Sequence, residues 1–232
     1  MKIYGITDKG MVRKSNQDCF YISEQGSWCV IADGMGGHNG GETASTMAVR
    51  IIGDVMAQPN NDAEDALRTA IVAANNAVYK KSTEKSELDG MGTTVVLLKM
   101  DGNIAYIGHV GDSRAYYING EKIIQLTKDH SIVQKLIDSG TITQSQAKNH
   151  PQKNLITRAV GTERFVEIDV NRVICTAGDY ILLCTDGLSS MVDDKDIFKI
   201  IMENPDTAVK NLVDAANSAG GRDNVTAVLI KL

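Results

Sequence analysis

Hydrophobic residues fall in short runs that alternate irregularly with longer helical blocks. The short runs are rich in valine, isoleucine and tyrosine, which is typical of β-strands. Between two of them, Asn119-Gly120 is typical of a type I′ hairpin. The pattern predicts strands at Lys2–Thr7, Cys19–Ser23, Ser27–Ala32, Thr93–Met100, Asn103–Val110, Arg114–Ile118, Lys122–Leu126, Val166–Val173, Tyr180–Thr185 and Val225–Lys231.

Helical periodicity is clearest between Asp62 and Thr83, where apolar residues recur on one face every 3.6 residues. A helix is predicted before it, from Glu42 to Met56. Late in the chain, Asp194–Met202 and Pro205–Ser218 form a predicted pair, with Pro205 in the first turn and Gly220-Gly221 as the stop. Consecutive hairpins and paired helices predict antiparallel sheets with helix pairs packed outside. No repeat or low-complexity linker divides residues 1–232, so we expect one domain.

The segment between His130 and Arg158 differs from the rest. Residues Ser131–Ser139 look helical and stop at Gly140. Thr143 with Gln146 resembles a capping box that opens another short helix. The sequence therefore predicts a small helical insertion at 130–158.

Composition narrows the class of protein. At 232 residues the chain is near the size at which single cores stop growing. Its net charge of -5 and its lack of a basic patch give no reason to expect nucleic acid as a partner. The four cysteines lie in or beside apolar runs without Cys-x-x-Cys spacing, and no apolar stretch is long enough for a bilayer. We therefore expect a cytoplasmic protein with reduced cysteines and no membrane association.

Aspartates stand where strands are predicted to end. Asp33 follows the run Trp28–Ala32, Asp186 follows Tyr180–Cys184, and each is followed by glycine. Glycine lets the backbone bend sharply and approach a ligand. Carboxylate and carbonyl oxygens select Mg²⁺, Mn²⁺ or Ca²⁺ over zinc. Two such ions roughly 3.5–4 Å apart can activate a water and hold a phosphoryl group.

The alternative is that Asp-Gly marks an ordinary hairpin turn. Asp101-Gly102 and Asp89-Gly90 are interpreted in that way. The glycine-rich stretch after Asp33 is too long for a tight hairpin, and the residues after Asp186 lead towards a helix. These two aspartates are therefore interpreted as metal ligands. The histidines lack paired zinc spacing, and His109, within an apolar strand, is expected to be a hydrogen-bonded structural residue.

Eight motifs in order along the chain carry a family resemblance. With them, the chain resembles bacterial metal-dependent protein phosphatases of the type-2C (PPM) family. The resemblance covers nearly the whole chain. The motifs are Arg13-Lys14-Ser15-Asn16-Gln17-Asp18, Ala32-Asp33-Gly34-Met35-Gly36-Gly37-His38, Gly92-Thr93-Thr94, Gly108-His109-Val110-Gly111-Asp112-Ser113-Arg114, Leu126-Thr127-Lys128-Asp129-His130-Ser131, His150-Pro151 with Thr157-Arg158-Ala159-Val160-Gly161, Thr185-Asp186-Gly187-Leu188 and Gly221-Arg222-Asp223-Asn224-Val225-Thr226.

The resemblance implies a centre of two Mn²⁺ or Mg²⁺ ions. By position, Asp33 is implied to bridge both ions, and the Gly34 carbonyl to complete one site. Asp186 and Asp223 are implied to hold the other ion. Asp18 is implied to reach its metal through a water molecule.

Two further roles follow from the resemblance. Asp112, with Asp186, matches a weaker third metal site of bacterial members. Arg13 matches the phosphate-binding arginine, whose planar fork can pair two phosphate oxygens. Arg13, Asp33 and Asp186 are thus the implied catalytic residues. Arg222 is either a site group or a surface charge.

The implied reaction is hydrolysis of phosphoserine or phosphothreonine by direct attack of a metal-bridging hydroxide. Eukaryotic relatives place a histidine directly after the metal-binding Asp-Gly, whereas this chain has Met35. The proton for the leaving alkoxide would then come from a metal-bound water or from His38.

The resemblance also implies a four-layer αββα sandwich, an α+β fold of two antiparallel sheets flanked by helix pairs. The insertion at 130–158 corresponds to a flap beside the active site. Phosphoproteins, including a cognate Ser/Thr kinase, are the implied partners of a monomeric enzyme. Two alternatives remain: a hydrolase for phosphotyrosine or small phosphoesters, and a metal-binding regulatory module without turnover.

Overall fold

The computed structural model describes residues 1–59, 62–84 and 86–232, and only the backbone of His38 and Asn39. Its strands are β1 (Lys2–Asp8), β2 (Asp18–Ile22), β3 (Trp28–Met35), β4 (Gly92–Thr93), β5 (Val95–Asp101), β6 (Ile104–Val110), β7 (Arg114–Ile118), β8 (Ile123–Gln125), β9 (Asp169–Ile174), β10 (Tyr180–Cys184) and β11 (Val225–Lys231). Its α-helices are α1 (Gly37–Met56), α2 (Ala63–Glu84), α3 (Ile132–Asp138), α4 (Gln144–Ala147), α5 (Asp186–Ser189), α6 (Asp194–Glu203) and α7 (Ala208–Ser218).

The strands form two antiparallel sheets that pack face to face. One sheet has the order β1-β11-β10-β7-β8, and the other has the order β2-β3-β5-β6-β9 with β4 beside the end of β3. Alternate residues of the central strands point between the sheets, because side chains alternate along a strand. Ile31 and Leu98 of one sheet belong to the same buried cluster as Ile181 and Val228 of the other. The middle of the molecule is therefore a hydrophobic layer between the two sheets.

Helices cover the outer face of each sheet. Ile52 of α1 and Ile71 of α2 pack in one buried cluster with Leu97 of β5. On the other side, Leu212 of α7 packs with Leu229 of β11. This arrangement confirms the predicted four-layer αββα sandwich. Among the described helices, none is both long and apolar enough to cross a membrane.

Several element predictions are confirmed closely. The strands β7 and β11 have the predicted bounds, and Thr143 forms the predicted capping box with Gln146 at the start of α4. The periodic face of α2 is buried as expected, but it also contains Asn75. Asn75 Oδ1 accepts the Gly161 N–H at 2.8 Å, which explains a polar residue at this buried position.

The largest difference concerns the glycine-rich segment after Asp33. The strand was predicted to end at Ala32, but β3 continues to Met35 because β4 pairs with Gly34 and Met35. Helix α1 then begins at Gly37 instead of Glu42. The glycines permit close packing of helix on strand, since a Cβ on Gly34 would lie 2.0 Å from the Gly41 carbonyl oxygen.

Other boundaries also differ from the prediction. Helix α7 begins at Ala208, so Pro205 lies in the turn before it and not in its first turn. Strand β9 begins at Asp169 instead of Val166. Its bounds follow its pairing with β6, from His109 opposite Asp169 to Ile104 opposite Ile174. Tertiary pairing thus decides where this strand starts.

The hairpin between β7 and β8 is confirmed, but its predicted type I′ turn is wrong. A type I′ turn needs positive φ at both central residues, and neither Asn119 nor Gly120 has one. The Asn119 side chain instead accepts the backbone N–H groups of Glu121 and Lys122, both at 3.0 Å. This side-chain bonding stabilises a longer, different turn.

Candidate active site

The predicted aspartates converge at one end of the sandwich. Pairing of β2 with β3 places Asp18 opposite Asp33. Asp186 begins α5 directly after β10, and Asp223 stands just before the neighbouring strand β11. Asp112 follows β6 in the turn that leads to β7. Residues far apart in the sequence therefore meet where the two sheets end.

These residues surround an open cavity of about 570 Å³. Apart from Asp18, every residue predicted as a metal ligand or as the phosphate-binding arginine lines the cavity. Arg222, whose role was left open, is exposed and does not belong to the lining. The predicted residues in the cavity wall are Arg13, Asp33, Gly34, Asp112, Asp186 and Asp223.

The carboxylates lie close together with Asp18 buried and the others half-buried, which disfavours their charged forms. Burial is the main cause that raises the pKa of Asp18 to about 7, of Asp112 to about 8 and of Asp186 to about 6. Burial followed by the charges of Asp18 and Asp186 raises the pKa of Asp33 well above its usual range. A cation among these groups would offset both the burial and the mutual repulsion.

Unpartnered oxygens show that the cluster fits metal ions. Asp18 Oδ1 and Asp186 Oδ1 are buried and have no hydrogen-bond partner in the described part of the chain. Buried polar atoms are normally paired, so such oxygens point to a missing ligand. The donors are carboxylates, which suit hard cations such as Mn²⁺ and Mg²⁺. The residues present therefore fit the implied metals.

Threonines hold the backbone at Asp33. The Asp33 N–H donates to Thr94 Oγ1 at 3.0 Å, and the Asp33 carbonyl accepts the Thr94 N–H at 2.9 Å and the Thr93 hydroxyl at 2.8 Å. Thr94 also shares a 2.7 Å hydrogen bond with Ser113, next to Asp112. These hydroxyls were not assigned a role from the sequence. Their signal was the presence of polar residues beside metal-ligand candidates in otherwise apolar strands.

Arg13 lies at the mouth of the cavity. Its side chain is 51 % exposed, and Nη2 lies 2.6 Å from Asp223 Oδ2. The hydrogen bond to Asp223 is the main cause that raises the pKa of Arg13. The preceding loop is held by the N–H groups of Met11 and Val12, which both donate to the Gly221 carbonyl. The guanidinium thus lies beside the aspartates, on a loop that is fixed by backbone hydrogen bonds to Gly221.

Asn224 fixes this loop relative to Asp223. Its Nδ2 donates to the carbonyls of Lys9 and Ser15, both at 2.9 Å. Its Oδ1 accepts the Gln17 N–H, and its own N–H donates to Asp223 Oδ1, both at 2.8 Å. One side chain therefore joins the arginine-bearing loop to the last metal-ligand candidate. It was not singled out from the sequence.

A second polar group lies under the insertion. His109, His130 and Asp169 are, among the described residues, the trio whose possible ligand atoms lie within 4.8 Å of one another. A cation already occupies this place, because Arg158 Nη1 lies 3.0 Å from His130 Nε2 and 2.9 Å from Asp169 Oδ1. The group is therefore interpreted as a structural network.

His109 in this network departs from its prediction. It was expected to be hydrogen-bonded, but neither ring nitrogen has a partner among the described residues. Its ring instead lies against that of His130, with centroids 4.5 Å apart. Burial lowers the pKa of His109 to about 3, so the ring is neutral. His109 is therefore packed against His130 as a neutral ring.

Comparison with known proteins gives consistent matches. The family described as Protein phosphatase 2C matches residues 12–219. Serine/threonine phosphatase stp of Listeria monocytogenes is 37% identical over 235 residues, which cover 97% of this chain and 93% of that protein. The crystal structure of the Mycobacterium tuberculosis serine/threonine phosphatase PstP/Ppp superimposes with a TM-score of 0.93 at 36% identity, covering 100% of this chain and 98% of that one.

A further solved structure contains metal. It is the catalytic domain of the serine threonine protein phosphatase PstP in complex with 2 manganese ions. It has a TM-score of 0.90 and 34% identity, and the match covers 98% of this chain and 96% of that chain. Together with the aspartate cluster and the four-layer fold, these matches identify the family. The chain belongs to the protein phosphatase 2C family.

Proposed function

We propose that this protein is a metal-dependent phosphatase that hydrolyses phosphoserine and phosphothreonine in proteins. The observation that carries the proposal is the cluster of buried carboxylates with an arginine at its mouth. Such a cluster is costly unless cations bind to it. The names of the relatives, which are serine/threonine phosphatases, supply the substrate class.

In this proposal the metals are Mn²⁺ or Mg²⁺. Asp33, the Gly34 carbonyl, Asp186 and Asp223 would hold two core ions, with Asp18 acting through a water. Asp112, together with Asp186, would hold a weaker third ion. When bound, such ions lower the pKa of a water and neutralise charge on phosphoryl oxygens. The manganese of the PstP structure supports this choice of metal.

Arg13 would bind and orient the phosphate. Its exposed guanidinium lies at the cavity mouth, where two of its N–H groups can face two phosphate oxygens. Met35 lines the cavity but has no proton to donate. The leaving alkoxide would therefore take its proton from water or from His38. The side chain of His38 lies outside the described residues, so this alternative stays a prediction.

We treat residues 1–232 as one phosphatase domain with a flap at 130–158. Asn154 and Ile156, near the end of this segment, line the cavity, which supports a role in choosing the protein substrate. A cognate Ser/Thr kinase would be a natural partner, since its phosphorylation is what the enzyme reverses. A monomeric state and a cytoplasmic location stay predictions.

The test is release of phosphate from matched phosphothreonine, phosphoserine and phosphotyrosine peptides, with Mn²⁺, Mg²⁺ or chelator. We expect metal-dependent turnover that is faster on the first two peptides. Faster turnover of phosphotyrosine would favour the alternative of a less selective phosphohydrolase. A folded protein that binds Mn²⁺ but hydrolyses none of them would contradict the assignment as an enzyme.

Replacement of Arg13 should weaken phosphate binding more than chemistry. For Arg13→Ala we expect kcat/KM on a phosphothreonine peptide to fall about 10-fold to 100-fold. This corresponds to the loss of charge-assisted hydrogen bonds to the phosphate, which contribute about 1.5–3 kcal/mol. Arg13→Lys should recover only part, because an ammonium cannot pair two oxygens in a fork. Steady-state kinetics on both variants checks this.

Arg222→Ala is the matched control, because Arg222 is exposed and outside the cavity lining. Its kcat/KM should stay within about twofold of wild type, as is usual for surface substitutions. Equal losses for Arg13→Ala and Arg222→Ala would show that general positive charge matters, and the specific role of Arg13 would be abandoned.

A further inference from the structure

The two oxygens of Asp18 have different surroundings. Oδ2 accepts hydrogen bonds from the hydroxyls of Thr185 at 2.8 Å and Thr226 at 2.7 Å. Oδ1 is buried and has no partner in the described part of the chain. Both threonines are fully buried. One oxygen is thus held by the protein, and the other is free to face a ligand.

The hydrogen bonds around Thr226 run in one direction. Metal binding requires Asp18 to be ionised, and an ionised carboxylate only accepts, so the single Thr226 hydroxyl proton then points to Asp18. Thr226 Oγ1 must then accept the proton of Thr7, whose Oγ1 lies 2.8 Å away. The Thr7 hydroxyl in turn accepts from Asn16 Nδ2 at 2.8 Å. Each hydroxyl in this series therefore donates once and accepts once.

The other threonine is fixed in the same way. Thr185 Oγ1 accepts the Thr226 backbone N–H at 2.9 Å and donates to Asp18. The amide of Asn16 is also oriented, because its Oδ1 accepts the Asp18 N–H at 3.1 Å. Strands β1, β10 and β11, paired side by side, hold this series in register. Thr7 and Thr226 are thus fixed by strand pairing, Thr185 directly follows β10, and Asn16 is held by its bond to the Asp18 N–H.

We propose that Thr185 and Thr226 are positioning residues for metal binding: they hold Asp18 Oδ2 and reserve Oδ1 for the ion or its water. Thr7 and Asn16 orient the Thr226 hydroxyl from behind. The inference rests on the proposed function, because it assumes that the aspartate cluster binds Mn²⁺. Partners of this kind around a metal ligand are commonly worth 10–100-fold in affinity.

The experiment is titration of the chelator-treated protein with Mn²⁺ alone by calorimetry at fixed pH. For Thr226→Val and Thr185→Val we expect the Mn²⁺ concentration at half-saturation to rise about 10-fold or more. Thr226→Ser keeps the hydroxyl and should bind as wild type does. Thr7→Val leaves both donors to Asp18 in place, so its rise should be smaller, about twofold to threefold.

Thr127→Val is the matched control. Thr127 is buried, and its hydroxyl accepts the Ala115 N–H at 3.1 Å. It should lose thermal stability without a change in Mn²⁺ affinity. Wild-type affinity in a folded Thr226→Val or Thr185→Val protein would overturn the proposal, as would an equal loss in Thr127→Val. If neither valine variant folds, Thr226→Ala takes their place with the same criterion.

Failure of this inference is distinguishable from failure of the proposed function. Phosphopeptide turnover by the wild-type protein tests the function, whereas the ratio of Mn²⁺ affinities tests the threonines. A wild-type protein that binds Mn²⁺ without hydrolysing phosphopeptides would remove the enzyme assignment, and the affinity ratio would still decide the role of the threonines. Absence of Mn²⁺ binding by the wild-type protein would overturn both.

Discussion

Asp33→Asn is expected to reduce metal-dependent phosphate release by about 10³-fold or more. Asp33 lies half-buried in the wall of the cavity and is the implied bridge between two ions. Loss of that bridge removes several kcal/mol of charge stabilisation, and each 1.36 kcal/mol is a factor of ten in rate. The hydrogen bonds of Thr93 and Thr94 are made to the N–H and carbonyl of Asp33 and not to its side chain, so they stay in place and the variant should fold. Initial rates at saturating Mn²⁺ measure the effect.

Asp186→Asn should behave in the same way, and Asp101→Asn is the control. Asp101 also precedes a glycine, but it is the exposed last residue of β5, at the start of the hairpin to β6. We expect its activity and its response to Mn²⁺ to match the wild type.

Without metal, Asp33→Asn should be more heat-stable than the wild type, because one repelling carboxylate of the cluster is gone. Substantial activity in a folded Asp33→Asn protein would refute the metal-bridging role.

In chelator, the protein is expected to lose thermal stability as pH rises from about 5 to 8. The pKa values of Asp186, Asp18 and Asp112 are raised, mainly by burial, to about 6, 7 and 8, from an ordinary value of 3.8. A raised pKa means that the folded state binds more protons than the unfolded state across this window. The free energy of unfolding therefore falls with pH until each group is ionised.

Mn²⁺ should reverse this loss, and more strongly at pH 8 than at pH 6, because protons compete with the metal for the same oxygens. At 100 times its dissociation constant, a ligand adds about 2.7 kcal/mol, which is about 5 to 10 °C in Tm for a chain of this size. Thermal unfolding with chelator or Mn²⁺ at several pH values measures both effects. Equal stability of the chelated protein at pH 5.5 and pH 8 would show that the carboxylates are not buried together.

The charged residues of the candidate site could be predicted from the sequence, but the polar residues that hold them in place could not. Asp33 and Asp186 were found because an Asp-Gly after an apolar run, away from a hairpin, is a local signal in the sequence. The roles of Thr226, Asn224 and Thr94 were missed, because a hydroxyl or amide in or beside a strand has no local signature of its partner. Each bonds to a group that is tens to hundreds of residues away.

The fold was predictable to a similar extent. Strands with strong apolar patterns, such as β11, were located to the residue, since burial on both faces leaves a continuous apolar run. The predicted boundaries between Gly34 and Glu42 were wrong, because glycine-rich stretches normally end strands and helices. Here the same glycines let α1 lie against β3, with the Gly34 and Gly41 backbones in close contact.

The sequence by itself determined the alternation of strands and helices, the order of the motifs and the identity of the acidic and basic site residues. These depend on periodicity and residue type, which are local properties. Only the tertiary structure decided that Asp18 lies opposite Asp33 and that one oxygen of Asp18 is held by Thr185 and Thr226, while the other has no hydrogen-bond partner among the described residues. Strand register and hydrogen-bond direction arise from contacts between distant segments, and those contacts exist only once the sheets have assembled.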